Sequence, residues 1–316
     1  MDLSIIIINW NSKAYLRECL KSLAGSANIL ECEILVIDNA SYDGSALMVA
    51  TEFPRVTFIQ SDRNLGFSGG NNRAARQAKG DFLLFLNPDT VGEGDALVKL
   101  VQTLRRLPDA GIVGARLLNS DRTLQTSCVQ SFPTVVNQVL DCELLRRCFP
   151  RSSLWGMAAL FGDSLEPVPV EAIPGACLMI KREVFERLGG FDERYFMYSE
   201  DIDLGFKVHQ AGYKCYYMPT ATVIHHGGGC SRNARSAFSN VMIRESVYRF
   251  MRLHRGRLAA GCFRLSIGIS ALLRLPVAMA IWLVRKEPGL NAAASVRKWI
   301  SIFRWSLGME SWSAKQ

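Results

Sequence analysis

Three uninterrupted apolar runs constrain this chain most: Ser4–Ile8, Glu33–Ile37 and Phe82–Leu86, each ending in polar residues. Runs rich in Ile, Val and Leu that do not alternate with polar residues belong to strands buried on both faces, as in a parallel sheet covered by helices. Between and after them the spacing turns helical, over 13–24 with Leu16, Cys19, Leu20 and Leu23, then over 45–52, 71–78 and 95–106. A further short strand is predicted over 56–59. This βαβα rhythm predicts an α/β fold, a Rossmann-like and mostly parallel sheet with helices on both faces. Ligands on such sheets bind beyond the carboxyl ends of the strands. The residues expected there are Asn9-Trp10, Asp38-Asn39 and Asn87-Pro88-Asp89.

The stretch 119–170 carries no clear period. Order returns with a predicted strand over 176–180, a helix over 182–188, and short strands at 216–218 and 223–224. From about 236 the pattern is helical. Residues 258–284 are strongly apolar but interrupted by Arg264 and Arg274, and their longest charge-free run is only ten residues. A spanning helix wants roughly 18 or more, and Pro276 disfavours one straight helix. With Arg285-Lys286 and Arg297-Lys298 alongside, the segment reads as lying on an anionic membrane surface. A spanning or re-entrant segment and a soluble helical cap are the alternatives.

Charge supports that division. The net charge is +8, yet from Arg244 onward there are 13 Lys/Arg against three Asp/Glu, so the basicity belongs to the C-terminal region. Its cations intersperse apolar residues rather than aromatics along a binding face, which argues against nucleic acid. The nine cysteines are odd in number and include no C-x-x-C. A disulfide framework or zinc site is therefore not expected, and a reducing cytoplasm fits best. The N-terminus opens on an apolar strand without a basic n-region, so no secretory leader is expected.

Several short segments carry candidate chemistry. Asp38 lies at a strand's carboxyl end, where it can accept the imide N–H of a uracil or thymine; the following Asp43-Gly44-Ser45 reads as a turn and helix cap. The glycine-dense Asn64–Asn72 stretch precedes a predicted helix and reads either as an ordinary loop or as backbone that approaches a nucleotide closely. It is not the G-x-G-x-x-G pattern of a nicotinamide site. Asp89 can hold a divalent cation against a diphosphate leaving group, or simply cap a Pro-containing turn. Glu200, Asp201 and Asp203 place three acids within four residues, more than helix-start electrostatics alone explains. Glu200 and Asp203 share a helix face and Asp201 points elsewhere. His225-His226 end an apolar strand, and either a structural or a metal-ligating role suits that place.

In order, Ser4–Asn11, Asp38-Asn-Ala-Ser41, Asn64–Asn72, Leu84–Asp89, Pro174–Ile180 and Gly190–Leu204 resemble the motifs of the inverting glycosyltransferase family 2, particularly its bacterial rhamnosyltransferase-like members. The resemblance spans about residues 1–230. It implies a GT-A fold over residues 1–235, with a nucleotide-binding half at 1–110 and an acceptor-binding half at 111–235; the helical, membrane-associating region at 236–316 is expected from the apolar and basic pattern above. It implies that Asp38 contacts the base. It also implies that Asn9 and the 64–71 loop (Asn64, Gly66, Gly70 and Asn71 among them) hold the nucleoside. It puts Asn87-Pro88-Asp89 at the family's D-x-D position, binding Mg²⁺ or Mn²⁺ and the diphosphate. Asp201 becomes the general base, with Glu200 orienting the acceptor or tuning that base, and His225 a second metal ligand. Two departures stand out: Asn87 replaces the first acid of D-x-D, and Lys207 stands where the family often has Arg.

The implied partners are a dTDP- or UDP-sugar, with dTDP-L-rhamnose foremost, and a saccharide or lipid-linked saccharide acceptor. The setting expected is the inner face of the plasma membrane. A non-catalytic sugar-nucleotide-binding or scaffold protein of the same fold is the alternative; its mark would be loss of the acids, and Asp38, Asp89 and Asp201 are all present.

Overall fold

The computed structural model describes residues 1–23, 30–227, 237–284 and 290–310. In chain order the elements are β1 (Leu3–Asn9), α1 (Lys13–Leu23), β2 (Cys32–Asp38), α2 (Ser45–Glu52), β3 (Thr57–Gln60), α3 (Gly66–Ala75), β4 (Phe82–Leu86), β5 (Thr90–Gly92), α4 (Ala96–Arg106) and β6 (Ala110–Leu118). There follow α5 (Val135–Val139), α6 (Glu143–Cys148), β7 (Val168–Val170), β8 (Cys177–Lys181), α7 (Arg182–Arg187), α8 (Glu200–Gln210), β9 (Lys214–His225), α9 (Ala237–His254), α10 (Gly256–Val284) and α11 (Leu290–Ser306).

The chain divides into two compact units. The first comprises Met1–Phe132, Phe149–Phe196 and Glu200–Cys230 and is built on one sheet in the order β3-β2-β1-β4-β8-β6-β9-β5, with β7 on β9. The parallel arrangement expected from the apolar runs holds for β3-β2-β1-β4, where β1 and β4 are almost wholly buried. Beyond β4 the sheet is mixed, because β8 runs antiparallel to both β4 and β6. That reversal brings the residues before β8 to the carboxyl end of β4, with Cys177 opposite Leu86. Strand β9 returns parallel to β6, so His225 finishes at the same end.

Two local differences from the sequence reading have physical causes. Residues 216–218 and 223–224 join in the single strand β9, interrupted by a register shift that takes Met218 opposite Ala115 but Thr222 opposite Arg116. Pro219 lies in the extra residues, where a missing N–H costs no ladder bond. Helix α3 starts at Gly66, not at 71, so Gly70 and Asn71 are helical and buried rather than in a loop. The glycines serve packing. Gly66 has φ +70°, and a Cβ there would stand 2.3 Å from the Phe196 carbonyl oxygen.

The second unit comprises Pro133–Cys148, Met197–Ser199 and Ser231–Gln316, so residues 133–148 group with the C-terminal helices rather than with the sheet. Its core joins Val241, Val247 and Met251 of α9, Ala260, Phe263, Ile267 and Ala271 of α10, and Ile302 and Trp305 of α11. Helix α10 runs through Pro276 as one element of 29 residues. The proline removes a single hydrogen bond, while packing along one face holds the turns before and after it. The stretch Gly256–Leu283 is long and apolar enough to cross a membrane by length and composition, with a mean hydropathy of 1.7 over an 18-residue window. Its outer side exposes Leu258, Leu265, Leu273, Val277 and Leu283. Arg285-Lys286 lie outside the described residues.

Candidate active site

The carboxyl ends of β1, β2, β4 and β9 carry the polar residues, and each is fixed by a distinct set of hydrogen bonds. At β1 and β2, Asn9 stands in register with Asp38 and donates Nδ2 to Asp38 Oδ1 at 2.6 Å. Asp38 Oδ2 accepts from the Ser41 N–H and from Gln60 Nε2, both at 2.8 Å. A carboxylate offers about four acceptor positions, so Oδ1 retains one for a further N–H. Asn9 is itself oriented by the Ser12 hydroxyl, which donates to its Oδ1 at 2.7 Å. Gln60 and Ser12 escaped the sequence reading.

Asn39 ties this strand end to α3, donating to the Gly66 carbonyl at 3.0 Å. Asn64 accepts from the Gly66 N–H at 2.9 Å and shapes the turn into that helix. Asn71 donates to the Phe67 carbonyl of its own helix. The expected loop residues are thus brought together chiefly by helix packing.

At β4, Asn87 donates its backbone N–H to the Ala176 carbonyl at 3.0 Å. One residue earlier in the same segment, the Gly175 N–H donates to Asp201 Oδ2 at 2.9 Å. These two bonds link the Asn87-Pro88-Asp89 turn to the acid at the start of α8 through one dipeptide. Gly175 is required by close approach, since a Cβ there would stand 2.7 Å from the Phe67 ring.

Asp201 also accepts from the Ile202 N–H at 2.8 Å and from Gln130 Nε2 at 3.4 Å. Burial raises its pKa, opposed by the N–H groups of Gly175 and Ile202. Burial also pushes Glu200 well above the usual carboxylate range, helped by the neighbouring Asp201 charge. The Glu200 Oε2 is buried without a hydrogen-bond partner. Tyr198 and Ser199, with φ 71° and 65°, turn the chain immediately before these acids. Consecutive left-handed non-glycine residues cost energy and cluster at functional turns. Asp203 plays a different part. It is 1% exposed and ion-paired with Lys207 Nζ at 2.6 Å. Lys207 is thereby the counter-ion of a buried acid.

The burial of Glu200 has a consequence for stability. A carboxyl with a raised folded pKa keeps a proton that the unfolded chain releases. Stability is therefore fullest below the ordinary Glu range and falls as pH rises through it towards the folded value. Glu200→Gln is expected to flatten that decline and raise Tm at neutral pH by about 2–4 °C, measured by thermal denaturation from acid to neutral pH.

At β9, His225 Nε2 lies 3.4 Å from Asp89 Oδ1 and 3.4 Å from Asn87 Nδ2. The pairing of Thr90 with His225 between β5 and β9 sets this distance. Its other ring nitrogen, Nδ1, is 2.8 Å from Gln125 Oε1. The orientation of the Gln125 amide follows from its other contacts. Its Nε2 donates to the His225 carbonyl and to Asn119 Oδ1, both at 2.9 Å, and a carbonyl can only accept. Oε1 therefore faces Nδ1, Nδ1–H donates to it, and Nε2 is turned towards Asp89 and Asn87. His225 Nε2, Asp89 Oδ1 and the Asn87 amide thus meet at one point of the strand ends.

Among the described residues no three His, Cys, Asp or Glu side chains gather as a metal cage. The donor set of Asp89 and His225, with Asn87 beside them, fits instead an open site of the Mg²⁺ type. Such sites use one or two protein ligands and fill the remainder with substrate phosphates and water. Gln125 was not legible in sequence, being 100 residues from the histidine it orients. Gln125→Leu is expected to weaken Mn²⁺ binding about 10–100-fold, read from free Mn²⁺ by electron paramagnetic resonance in the presence of a nucleoside diphosphate. Nearby Cys19 is no nucleophile, since burial pushes its thiol up to about 12.

With this geometry in hand, residues 4–189 match the family model described as glycosyl transferase family 2. The chain belongs to that family. It is 30% identical over 237 residues to the N-acetylglucosaminyl-diphospho-decaprenol L-rhamnosyltransferase of Mycobacterium tuberculosis, covering 71% of this chain and 76% of the relative. To the rhamnosyltransferase WbbL of Escherichia coli K12 it is 27% identical, over 74% of this chain and 86% of WbbL. Among solved structures it is similar to the mannosyltransferase PcManGT of Pyrobaculum calidifontis in complex with GDP-Man and Mn²⁺. That match has a TM-score of 0.59 and 14% identity, and covers 97% of this chain and 86% of the other. S. aureus TarS 1-349 matches with a TM-score of 0.52 and 15% identity over 98% and 92%. The fold is of the GT-A type, and the family 2 chain is a rhamnosyltransferase-like glycosyltransferase.

Proposed function

We propose that this family 2 enzyme moves L-rhamnose from dTDP-L-rhamnose, with inversion, onto a hydroxyl of a lipid-linked saccharide in cell-surface polysaccharide or glycolipid synthesis. The reaction takes place at the cytoplasmic face of the plasma membrane. The observation that carries the reading is the pair of bonds through Gly175 and Ala176, which tie Asp201 to the Asn87-Pro88-Asp89 turn. A single displacement needs a base on one side of the anomeric carbon and charge neutralisation on the other. The sugar and acceptor class are supported by the substrate that the M. tuberculosis relative's name states.

Asp38, with its remaining acceptor position on Oδ1, takes the imide N–H of the base, and Asn9 holds it for that contact. Asn64, Gly66, Gly70 and Asn71 shape the α3 end that supports the nucleoside. Asp201 accepts the proton of the attacking hydroxyl, its Oδ2 oriented by Gly175 and Gln130. Glu200 serves as a positioning residue beside it. Asp89 and His225, with Asn87, would hold Mg²⁺ or Mn²⁺, which neutralises charge developing on the departing diphosphate. Outside the sheet unit, the apolar and basic C-terminal helices rest on an anionic membrane surface.

Thermal-shift screening of dTDP-L-rhamnose, UDP-sugars and GDP-mannose with and without Mn²⁺ tests the donor. A Mn²⁺-dependent rise with dTDP-L-rhamnose above the others is expected. A larger rise with GDP-mannose would overturn the donor assignment. Anomeric analysis of the product by NMR tests inversion, and a retained configuration would sink the single displacement.

A further inference from the structure

Two arginines interrupt the apolar helix α10, and they behave differently. Arg264 is satisfied: it donates Nη2 to the Trp305 carbonyl at 2.8 Å and Nε to the Ser306 carbonyl at 3.1 Å, closing the end of α11. It also lies over the Tyr248 and Trp305 rings. Arg274 has no such acceptor among the described residues. Its guanidinium stands 5.0 Å from the centre of the Trp299 ring, and Lys298 Nζ stands 5.2 Å from the same ring. Arg244 of α9 joins them, near enough for its charge to act on Lys298 and for Arg274 to act on it. Among the described residues the acid that acts on this trio is Asp141, already ion-paired with Arg146 at 2.6 Å.

Two cations from α10 and α11 therefore share one indole, a third from α9 stands within electrostatic reach, and one acid, itself shared with Arg146, faces all this charge among the described residues. Burial lowers the pKa of both Arg244 and Lys298, and their like charges add to it. Such an arrangement is costly unless an anion completes it. A phosphate group suits it, since two guanidinium forks and an ammonium can share its oxygens. The surroundings are apolar and exposed, with Leu272, Leu273 and Val277 on α10 and Ile300 on α11. A ligand with a phosphate at one end and hydrocarbon at the other matches both features, and indole rings favour the water–lipid boundary.

We propose that Arg244, Arg274 and Lys298 form a binding site for the phosphate group of a membrane lipid. The inference rests on the membrane association given above and turns a diffuse basic surface into a defined site.

The test uses the full chain and vesicle sedimentation, with phosphatidylcholine vesicles containing or lacking phosphatidylglycerol. The triple variant Arg244→Gln, Arg274→Gln, Lys298→Gln is compared with the charge-matched control Arg252→Gln, Arg257→Gln, Arg297→Gln, whose arginines are all exposed. Diffuse attraction contributes about 1 kcal/mol per cation near the surface and treats both triples alike. The expected result is at least about a tenfold greater loss of binding in the cluster variant than in the control. Equal losses, or no preference of the wild type for phosphatidylglycerol, overturn the site. If inorganic phosphate raises Tm in the wild type as far as phosphatidylglycerol vesicles do, the lipid assignment is overturned.

Folding is monitored in parallel. Relief of like-charge repulsion is expected to leave Tm unchanged or raised, and Arg274→Gln alone provides a milder version. A marked fall in Tm for that single variant would make the cluster structural and overturn the proposal. Transfer from dTDP-L-rhamnose to a detergent-dispersed lipid-linked saccharide is measured on the same samples. Its absence in the wild type would count against the proposed donor and acceptor and leave the vesicle result standing.

Discussion

Asp201→Asn is expected to lower the transfer rate by about 10²–10⁴-fold, the usual contribution of a positioned base, while dTDP-L-rhamnose binding in the presence of Mn²⁺ stays near the wild-type value. The two readouts separate the base from the donor site, because Asp201 is linked to the turn before Asp89 through the backbone of Gly175 and Ala176. The variant also bears a structural cost. Asp201 accepts from two backbone N–H groups, one on each carboxylate oxygen. An asparagine amide must turn its NH₂ towards one of them, at a cost of about 1–3 kcal/mol. A thermal scan therefore accompanies the kinetics, to separate lost base from lost fold. The wild-type rate should show an acid limb displaced above the ordinary Asp range, since burial raises the Asp201 pKa. Normal turnover by a folded Asn variant would remove Asp201 from its role.

Asp89→Ala is expected to abolish the Mn²⁺-dependent part of donor binding and to reduce turnover by about 10³-fold, corresponding to several kcal/mol of charge stabilisation. The fold should survive. Asp89 contributes to the β5–β9 pairing through its backbone carbonyl, which accepts from the His226 N–H at 2.9 Å and is untouched by truncation of the side chain. With Asn87 in place of a second acid, His225 and Asp89 are the strong donors at this end of the sheet, so loss of either should be felt fully. Titration of Mn²⁺ against the protein with dTDP present provides the measurement. Equal Mn²⁺ affinity in wild type and variant would place the cation elsewhere.

Much of this site was legible because it lies where apolar runs stop. Asn9, Asp38 and Asp89 follow strands whose burial is written in their composition, and the parallel order of β1, β2 and β4 puts them at one end. The residues that orient them were not legible. Gln125 meets His225 across 100 residues and Gln130 meets Asp201 across 71, distances at which no periodicity operates. Both belong to the stretch 119–170, where the sequence reads as irregular. The glycines of 64–72 misled for the opposite reason. Their local preference is for a loop, and tertiary packing against Phe196 and Ile8 makes them helix instead. The apolar tail was recognisable as helical, but the different behaviour of Arg264 and Arg274 depends on what α11 places opposite each.

The Gly175-Ala176 dipeptide acts as a ruler. One residue is hydrogen-bonded to the Asn87-Pro88-Asp89 turn and the other to Asp201, so in the proposed mechanism the span from leaving group to base is set by one dipeptide and two hydrogen bonds. Such a gauge is indifferent to changes elsewhere in the acceptor half. Inserting one residue between Pro174 and Cys177 should silence the enzyme for every acceptor alike.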